Sequence, residues 1–375
     1  MRRLLPAVAV GLAASFATVS TVHAQTGGEI VIGQTIALSG GIAEHGKAVA
    51  LGARAYLDRV NAAGGIGGRR IVLKVLDDAG DSARAAENTR LLIEQDNVLA
   101  VFGGIEGGPC VASMKVATER KVPLVACMAG SPELRDPFNR YVFPVRAAHL
   151  SEFERLIDLS VQFGRKRIGF MHADSDTGRK HLANVQKLLA KHGLQLAAAI
   201  PIPPKPDAAK LVDEVRAARL DTMFNHGAYS LYGAMIKDAR KRGMDTAFLA
   251  VNSGAQQLVR TLGPDANGLV FTQVVPFPWN STPTLVKEYK EALKAADPAA
   301  EYSFSSLEGY LSAKVLVEGL RRAGPKPGRE ELVNGLESLG SYDAGGVIVT
   351  YSKTSRDGAG FVDTVISTAD GRFVH

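Results

Sequence analysis

Apolar positions along this chain fall into short continuous runs that alternate with longer periodic ones. "EIVIGQTIAL" (29–38) is an apolar run of strand length. "HGKAVALGARAYLDRVNAAGG" (45–65) spaces its apolar residues at helical intervals and stops on Gly-Gly. The alternation continues with "RRIVLKVLDD" as a strand, "DSARAAENTRLLIEQD" as a helix opened by an Asp/Ser cap, "NVLAVFGG" as a strand, "CVASMKVATERK" as a helix and "VPLVACM" as a strand. Strands that read as continuous apolar runs are buried on both faces, which predicts a parallel, doubly wound sheet covered by helices. A second series of the same kind begins at "YVFPVRAAHLSEFERLIDLSVQFG" (141–164) and runs to "TAFLAVN" (246–252), without close sequence repeat of the first. Three helical runs and two strands, "GGVIVTYS" and "GFVDTVIST", complete the chain. The expected crossings between the two units lie at 142–149, 274–279 and 342–346. Lobe 1 is then 28–147 plus 276–344, and lobe 2 is 148–275 plus 345–375. Several crossings between two lobes predict a hinge with a cleft.

Residues 1–24 stand apart. "MRR" is a basic start, a weakly apolar stretch rich in small residues follows, and "VHA" before Gln25 has the form of a cleavage site. This reads as a cleaved export signal, placing the mature protein in the periplasm. No later apolar run is long enough to cross a bilayer.

Composition narrows the classes further. The chain has 375 residues, 46% hydrophobic and 22% charged, enough for a sizeable core. Its formal charge is +6, or +4 without Arg2 and Arg3. The basic clusters 164–169 and 238–244 sit beside helix ends, where cations favour the helix dipole. They therefore read as solvated faces, and nucleic acid is excluded as a partner. Two cysteines are present, Cys110 and Cys127, and an oxidising compartment allows one disulfide or two free thiols.

The glycine stretch "VFGGIEGGPC" (101–110) lies where a strand hands over to a helix. It fits neither G-x-x-x-x-G-K-[ST] nor G-x-G-x-x-G, so it is not a nucleotide loop. Glycines there let a ligand approach the backbone, and a helix start offers unpaired N–H groups suited to a carboxylate. A tight structural turn is the plain alternative. Cys110 has no base tied to it by a local signature, and a small buried thiol is its simpler role. "HADSD" (172–176) offers His172, Asp174 and Asp176 as metal ligands, but a strand followed by a polar loop and a cap explains them more simply. Neither catalysis, a metal nor a cofactor has positive support.

With these residues in place, "IGQTIALSGGIAEHGKAVALGARAYLDRVNAAGGIGGRRIVLKVLDDAGD" resembles the leucine/isoleucine/valine-binding family of periplasmic proteins, the solute receptors of ABC importers. "ERKVPLVACMAGSPELRDPFNRYVFPVR" and "SLEGYLSAKVLVEGL" extend the resemblance over nearly all the mature chain. It implies the type I periplasmic binding protein fold, two doubly wound Rossmann-like α/β lobes joined by a three-strand hinge, with ligand held in the cleft.

Carried over position by position, the resemblance implies a ligand site with departures. His45 stands where an aromatic commonly follows the L-S-G loop. The hydroxyls that meet a ligand carboxylate fall at Gly107 and Gly130, with Gly108 and Ser131 adjacent. Met128 and Ala129 end a strand at the edge where parallel sheets bind ligands. Thr177 replaces one tyrosine, another falls near Ala228 beside Tyr229, and Tyr302 corresponds to a further aromatic. Asn252 takes the place of the acidic residue that holds an ammonium, and Glu106 is the candidate to supply that charge instead. Bland roles stand beside these: a helix cap for His45 or Thr177, packing for Tyr229, exposure for Tyr302 and surface packing for Trp279.

A neutral amide compensates a buried ammonium poorly. The expected ligand is therefore a small organic or aromatic acid, or an amide, rather than a free branched-chain amino acid. The expected protein is a monomeric extracytoplasmic receptor that closes around its solute and docks on a membrane permease. A sensor-input protein of the same fold and a Cys-dependent hydrolase are the alternatives.

Overall fold

The computed structural model describes residues 28–375 except Ala228; the expected export signal lies outside the described residues. The first unit runs β1 (Ile30–Ile36), α1 (Ala43–Ala62), β2 (Ile71–Asp77), α2 (Ser82–Glu94), β3 (Ala100–Phe102), α3 (Gly107–Glu119), β4 (Leu124–Val125) and β5 (Val142–Phe143). These strands form one parallel sheet in the order β2-β1-β3-β4-β5. The order reverses at β1, so the loops after β1 and β3 diverge and leave a crevice at the carboxyl edge of the sheet.

The second unit runs α4 (His149–Gln162), β6 (Ile168–Ala173), α5 (Asp176–Lys191), β7 (Ala198–Ile202), α6 (Ala208–Ala217), β8 (Thr222–Asn225), α7 (Tyr229–Lys241), β9 (Ala247–Ala250), α8 (Ala255–Leu262) and β10 (Val270–Gln273). Its sheet is parallel from β10 to β7 in the order β10-β9-β8-β6-β7. The reversal here lies at β6, between β7 and β8.

The chain then returns to the first unit. Helices α9 (Thr284–Ala296), α10 (Phe304–Arg322) and α11 (Arg329–Glu337) follow, and α9 and α10 pack against α1. Edge-on tyrosine pairs fill the join, Tyr56 with Tyr310 at 5.0 Å and Tyr289 with Tyr310 at 5.8 Å. Strands β11 (Gly340–Asp343), β12 (Ile348–Tyr351) and β13 (Gly358–Ala359) make a small antiparallel sheet. Last, β14 (Asp363–Ser367) and β15 (Phe373–Val374) add antiparallel strands beside β10.

The third crossing lies later than the expected 344/345. "DAGG" (343–346) is the turn of the β11–β12 hairpin: the Asp343 carboxylate accepts from Gly345 N at 2.8 Å and Gly346 N at 2.7 Å. The hairpin stays with lobe 1, because Tyr351 Oη donates to Pro144 O at 2.8 Å and Ala359 N donates to Val145 O at 2.7 Å. The chain passes to lobe 2 only after Ala359.

The lobes are closed on one another. On one side Thr177 donates to Glu133 at 3.0 Å and Lys180 pairs with the same carboxylate at 3.2 Å. On the other, Gln257 donates to Gly41 O at 3.0 Å and Arg260 pairs with Glu44.

Candidate functional site

The loops at the carboxyl edges of β1, β3 and β4 form one wall of the cleft. Asp77, at the end of β2, fixes the first of them. Its carboxylate accepts from Ser39 Oγ at 2.6 Å, Leu38 N at 2.7 Å and Ala79 N at 2.9 Å, and these bonds, the Ser39 hydroxyl foremost, pull it down to about 2. The loop leads into α1, whose first turn carries His45. That ring's Nδ1 is 2.8 Å from Ser305 Oγ at the start of α10. Burial, then the nearby Arg146 charge, lowers His45 to about 4 and keeps it neutral. His45, Asn252, Gln273, Phe304 and Ser305 line a cavity of about 40 Å³ between the lobes.

Glu106 precedes α3 with φ +66° and ψ 146°, a region that L side chains rarely occupy. Burial pushes its carboxyl up, and the Arg146 guanidinium pulls the other way. The Glu106 charge is also felt at Tyr229, whose hydroxyl is pushed well up by burial first and by that carboxylate second. Tyr229 lies over Gly254, where an added Cβ would come 2.6 Å from the ring.

Of the two glycines expected to stand where relatives carry hydroxyls, Gly130 is pressed against backbone and Gly107 against a serine side chain. A Cβ on Gly107 would lie 2.6 Å from Ser131 Oγ, and one on Gly130 would lie 2.5 Å from His149 N. Ser131 is 1% exposed and its hydroxyl has no hydrogen-bond partner. Gly108 is exposed beside Ser82 and lines, with Gly107 and Thr177, a groove on the outer side of the cleft.

Asn252 sits in a buried ionic network. Its Oδ1 accepts from Arg146 at 2.9 Å and its N donates to Glu152 Oε2 at 3.0 Å. Its Nδ2 donates to Glu308 Oε2 at 3.4 Å. Glu152 is fully buried; besides Asn252 it accepts from Arg146, from Thr272 Oγ1 at 2.6 Å and meets His149 Nδ1 at 2.9 Å. The carboxylate is therefore saturated. Glu308 is pushed up by burial, drawn down by Arg146 and raised again by Glu152, and its Oε1 has no hydrogen bond. Gln34, within β1, and Gln273, at the end of β10, are buried with both amide atoms unpaired.

Some expected site residues lie elsewhere. Tyr302 packs on Tyr289 and under the Lys290 and Lys294 ammonium groups, in a groove with Trp279 and Phe373 that adjoins the cavity around His45 rather than in that cavity itself. Met128 packs with Ile36, Val49 and Ile105, and Ala129 belongs to the core around Leu134 and Val142; both face the interior of lobe 1. Thr177 bonds Glu133 across the lobes, a contact that holds the cleft shut. Cys110 and Cys127 form a disulfide with Cα atoms 5.8 Å apart, which removes Cys110 as a free buried thiol or nucleophile. Arg179 pairs with both Asp174 and Asp176, and His172 Nδ1 meets Ala173 O at 3.0 Å, so these side chains are locally satisfied.

Arg146, Glu152 and Glu308 were not expected in the site. Two of them carry a local signal: Arg146 interrupts the apolar "VFPVRAA", and Glu308 sits on the buried face of α10 between Leu307 and Leu311. The sequence likewise left His149, His181 and His226 without a role; their ring nitrogens lie within 4.8 Å of one another, the one histidine-rich cluster suited to a metal among the described residues. Burial lowers all three, His226 to about 4.

Two closed α/β lobes around a polar cleft define a solute-binding protein. The pattern that characterises periplasmic binding proteins matches residues 29–371. The chain belongs to that family, of the leucine/isoleucine/valine-binding type, and the family is periplasmic. Among relatives, the Leu/Ile/Val-binding protein homolog 3 of Brucella melitensis is 26% identical over 94% of this chain and 93% of its own. The fold matches a substrate-binding periplasmic protein from Ralstonia solanacearum with a TM-score of 0.84, at 29% identity over 92% of this chain and 99% of that one. It also matches a possible leucine/isoleucine/valine-binding protein from Rhodopirellula baltica with a TM-score of 0.83, at 28% identity over 92% and 96%.

Proposed function

We propose that this protein is the extracytoplasmic receptor of an ABC importer, and that its cleft takes a small organic or aromatic carboxylic acid rather than a free branched-chain amino acid. The mature chain acts as a monomer whose closed form docks on the membrane permease. Binding shifts the population towards closure and involves no bond making.

The observation that carries the ligand class is the Arg146–Asn252 contact at 2.9 Å. An ammonium at Asn252 meets a fixed guanidinium. The saturated Glu152 carboxylate is already committed, and burial drives Glu106 and Glu308 towards their neutral forms. A carboxylate instead meets the unpaired Ser131 hydroxyl and the free N–H groups that open α3, beside the Arg146 field.

A thermal-shift screen of the mature protein against organic acids, aromatic acids, amides and amino acids tests the proposal, since a ligand that binds only the folded state raises its melting point. Stabilisation by carboxylic acids is the expected result. Stabilisation confined to leucine, isoleucine and valine refutes the ligand class.

A further inference from the structure

Three imidazoles meet at the carboxyl edge of the lobe 2 sheet, where the strand order reverses. His149 opens α4, His181 lies one turn into α5, and His226 directly follows β8. Their ring centroids are 4.2 Å (His181–His226), 4.5 Å (His149–His226) and 5.4 Å (His149–His181) apart. Glu152 meets His149 directly, and Glu152 and Glu133 act on His226 through space, but burial outweighs both and lowers the ring. Burial keeps imidazoles neutral and their lone pairs available.

Two further features set this cluster apart from ordinary aromatic packing. His181 is fully buried, yet neither of its ring nitrogens has a hydrogen-bond partner. An orphaned buried polar group is costly, and a metal bond is one way to satisfy it. Second, His149 Nδ1 is engaged by Glu152 Oε1 at 2.9 Å, which leaves Nε2 for a ligand. A carboxylate on the far nitrogen is the usual outer partner of a metal-bound histidine. Phe153 packs against all three rings and supplies a rigid apolar floor.

We infer that His149, His181 and His226 form a binding site for a divalent transition-metal ion of the zinc class. Metal–nitrogen bonds of about 2.0–2.1 Å place tetrahedral nitrogens about 3.4 Å apart, so ring rotations within the observed 4.8 Å spread complete the site. Three imidazoles leave the fourth position for water or an anionic oxygen. All three ligands come from lobe 2, so the ion binds whether the cleft is open or shut. The inference is independent of the solute proposed above.

The test uses chelator-stripped mature protein, equilibrium dialysis against Zn2+, and Co2+ as a spectroscopic probe. Wild type is expected to hold about one Zn2+ per chain and to melt at a higher temperature with it, and Co2+ is expected to give the intense visible bands of a tetrahedral site. His181→Phe keeps an aromatic ring in the cluster and should abolish both signals. His226→Gln, at a half-buried position, should do the same and decides the matter if His181→Phe does not fold. His192→Ala, on the surface, should bind as wild type does. No stoichiometric Zn2+ on wild type, or undiminished binding by either cluster variant, overturns the inference.

Discussion

Arg146 and Asn252 lie 106 positions apart in the chain, and the guanidinium of one donates to the amide oxygen of the other at 2.9 Å where the two lobes meet. Arg146 follows the last strand of the first sheet and Asn252 lies two residues past β9 of the second lobe, so this bond is made between the lobes. On the proposed function, it sets the sign of charge that the solute encounters there.

Asn252→Asp places a carboxylate in that position. A like charge within a few ångströms of a bound carboxylate weakens binding by roughly ten-fold or more. Calorimetric titration of the variant with an acid that binds wild type should show that loss.

On the proposed function, Glu106 gives carboxylate binding a pH dependence of defined sign. Burial raises its carboxyl, so the neutral, donating form persists to higher pH than an exposed glutamate allows. Affinity for a carboxylate falls as pH rises through that raised value, because the ionised form repels the ligand. Glu106→Gln should flatten the profile. The measurement belongs above the His45 transition at about 4, where that ring stays neutral.

The Cys110–Cys127 disulfide closes a loop with a sequence separation of 17 and ties the first turn of α3 to the end of β4. The double variant Cys110→Ser/Cys127→Ser should lose about 3 kcal/mol of stability by the loop-entropy argument. Denaturant melts of the variant, and of wild type with and without reductant, should show this loss. Solute affinity should hold within a few-fold, since the site rests on neighbouring loops rather than on a thiol.

Besides the buried Arg146–Asn252 network, closure draws on exposed or half-exposed polar contacts at the rim, each worth about 0–1 kcal/mol. Thr177→Val removes the Thr177–Glu133 bond and should shift the ligand-free protein towards the open form. Small-angle scattering should report a larger radius of gyration without ligand and an unchanged one at saturation. Affinity should fall a few-fold.

The doubly wound lobes were legible because their strands are continuous apolar runs separated by capped helices. The third crossing was misread at Asp343–Gly346 because Asp-Ala-Gly-Gly has the composition of a linker as well as of a hairpin turn; the bonds from Gly345 and Gly346 to Asp343 appear only in three dimensions. In the site, Gly107 and Gly130 stood out as glycines, but the reasons for them, Ser131 and His149, come from other segments. The ionic network was hidden for the same reason: Arg146, Glu152, Asn252 and Glu308 come together only when both lobes and α10 are assembled. Tyr302 was assigned from family position alone, and it packs against Tyr289 in the groove with Trp279, beside the cavity around His45.

The central claim is that the cleft selects a carboxylate without an accompanying ammonium. Calorimetry with matched pairs tests it most directly: leucine against isocaproate, and phenylalanine against hydrocinnamate, each pair differing only in the amino group. The account predicts that at least one acid binds and that it binds more tightly than its amino-acid counterpart. Tighter binding of leucine or phenylalanine than of its deaminated partner at neutral pH would contradict it.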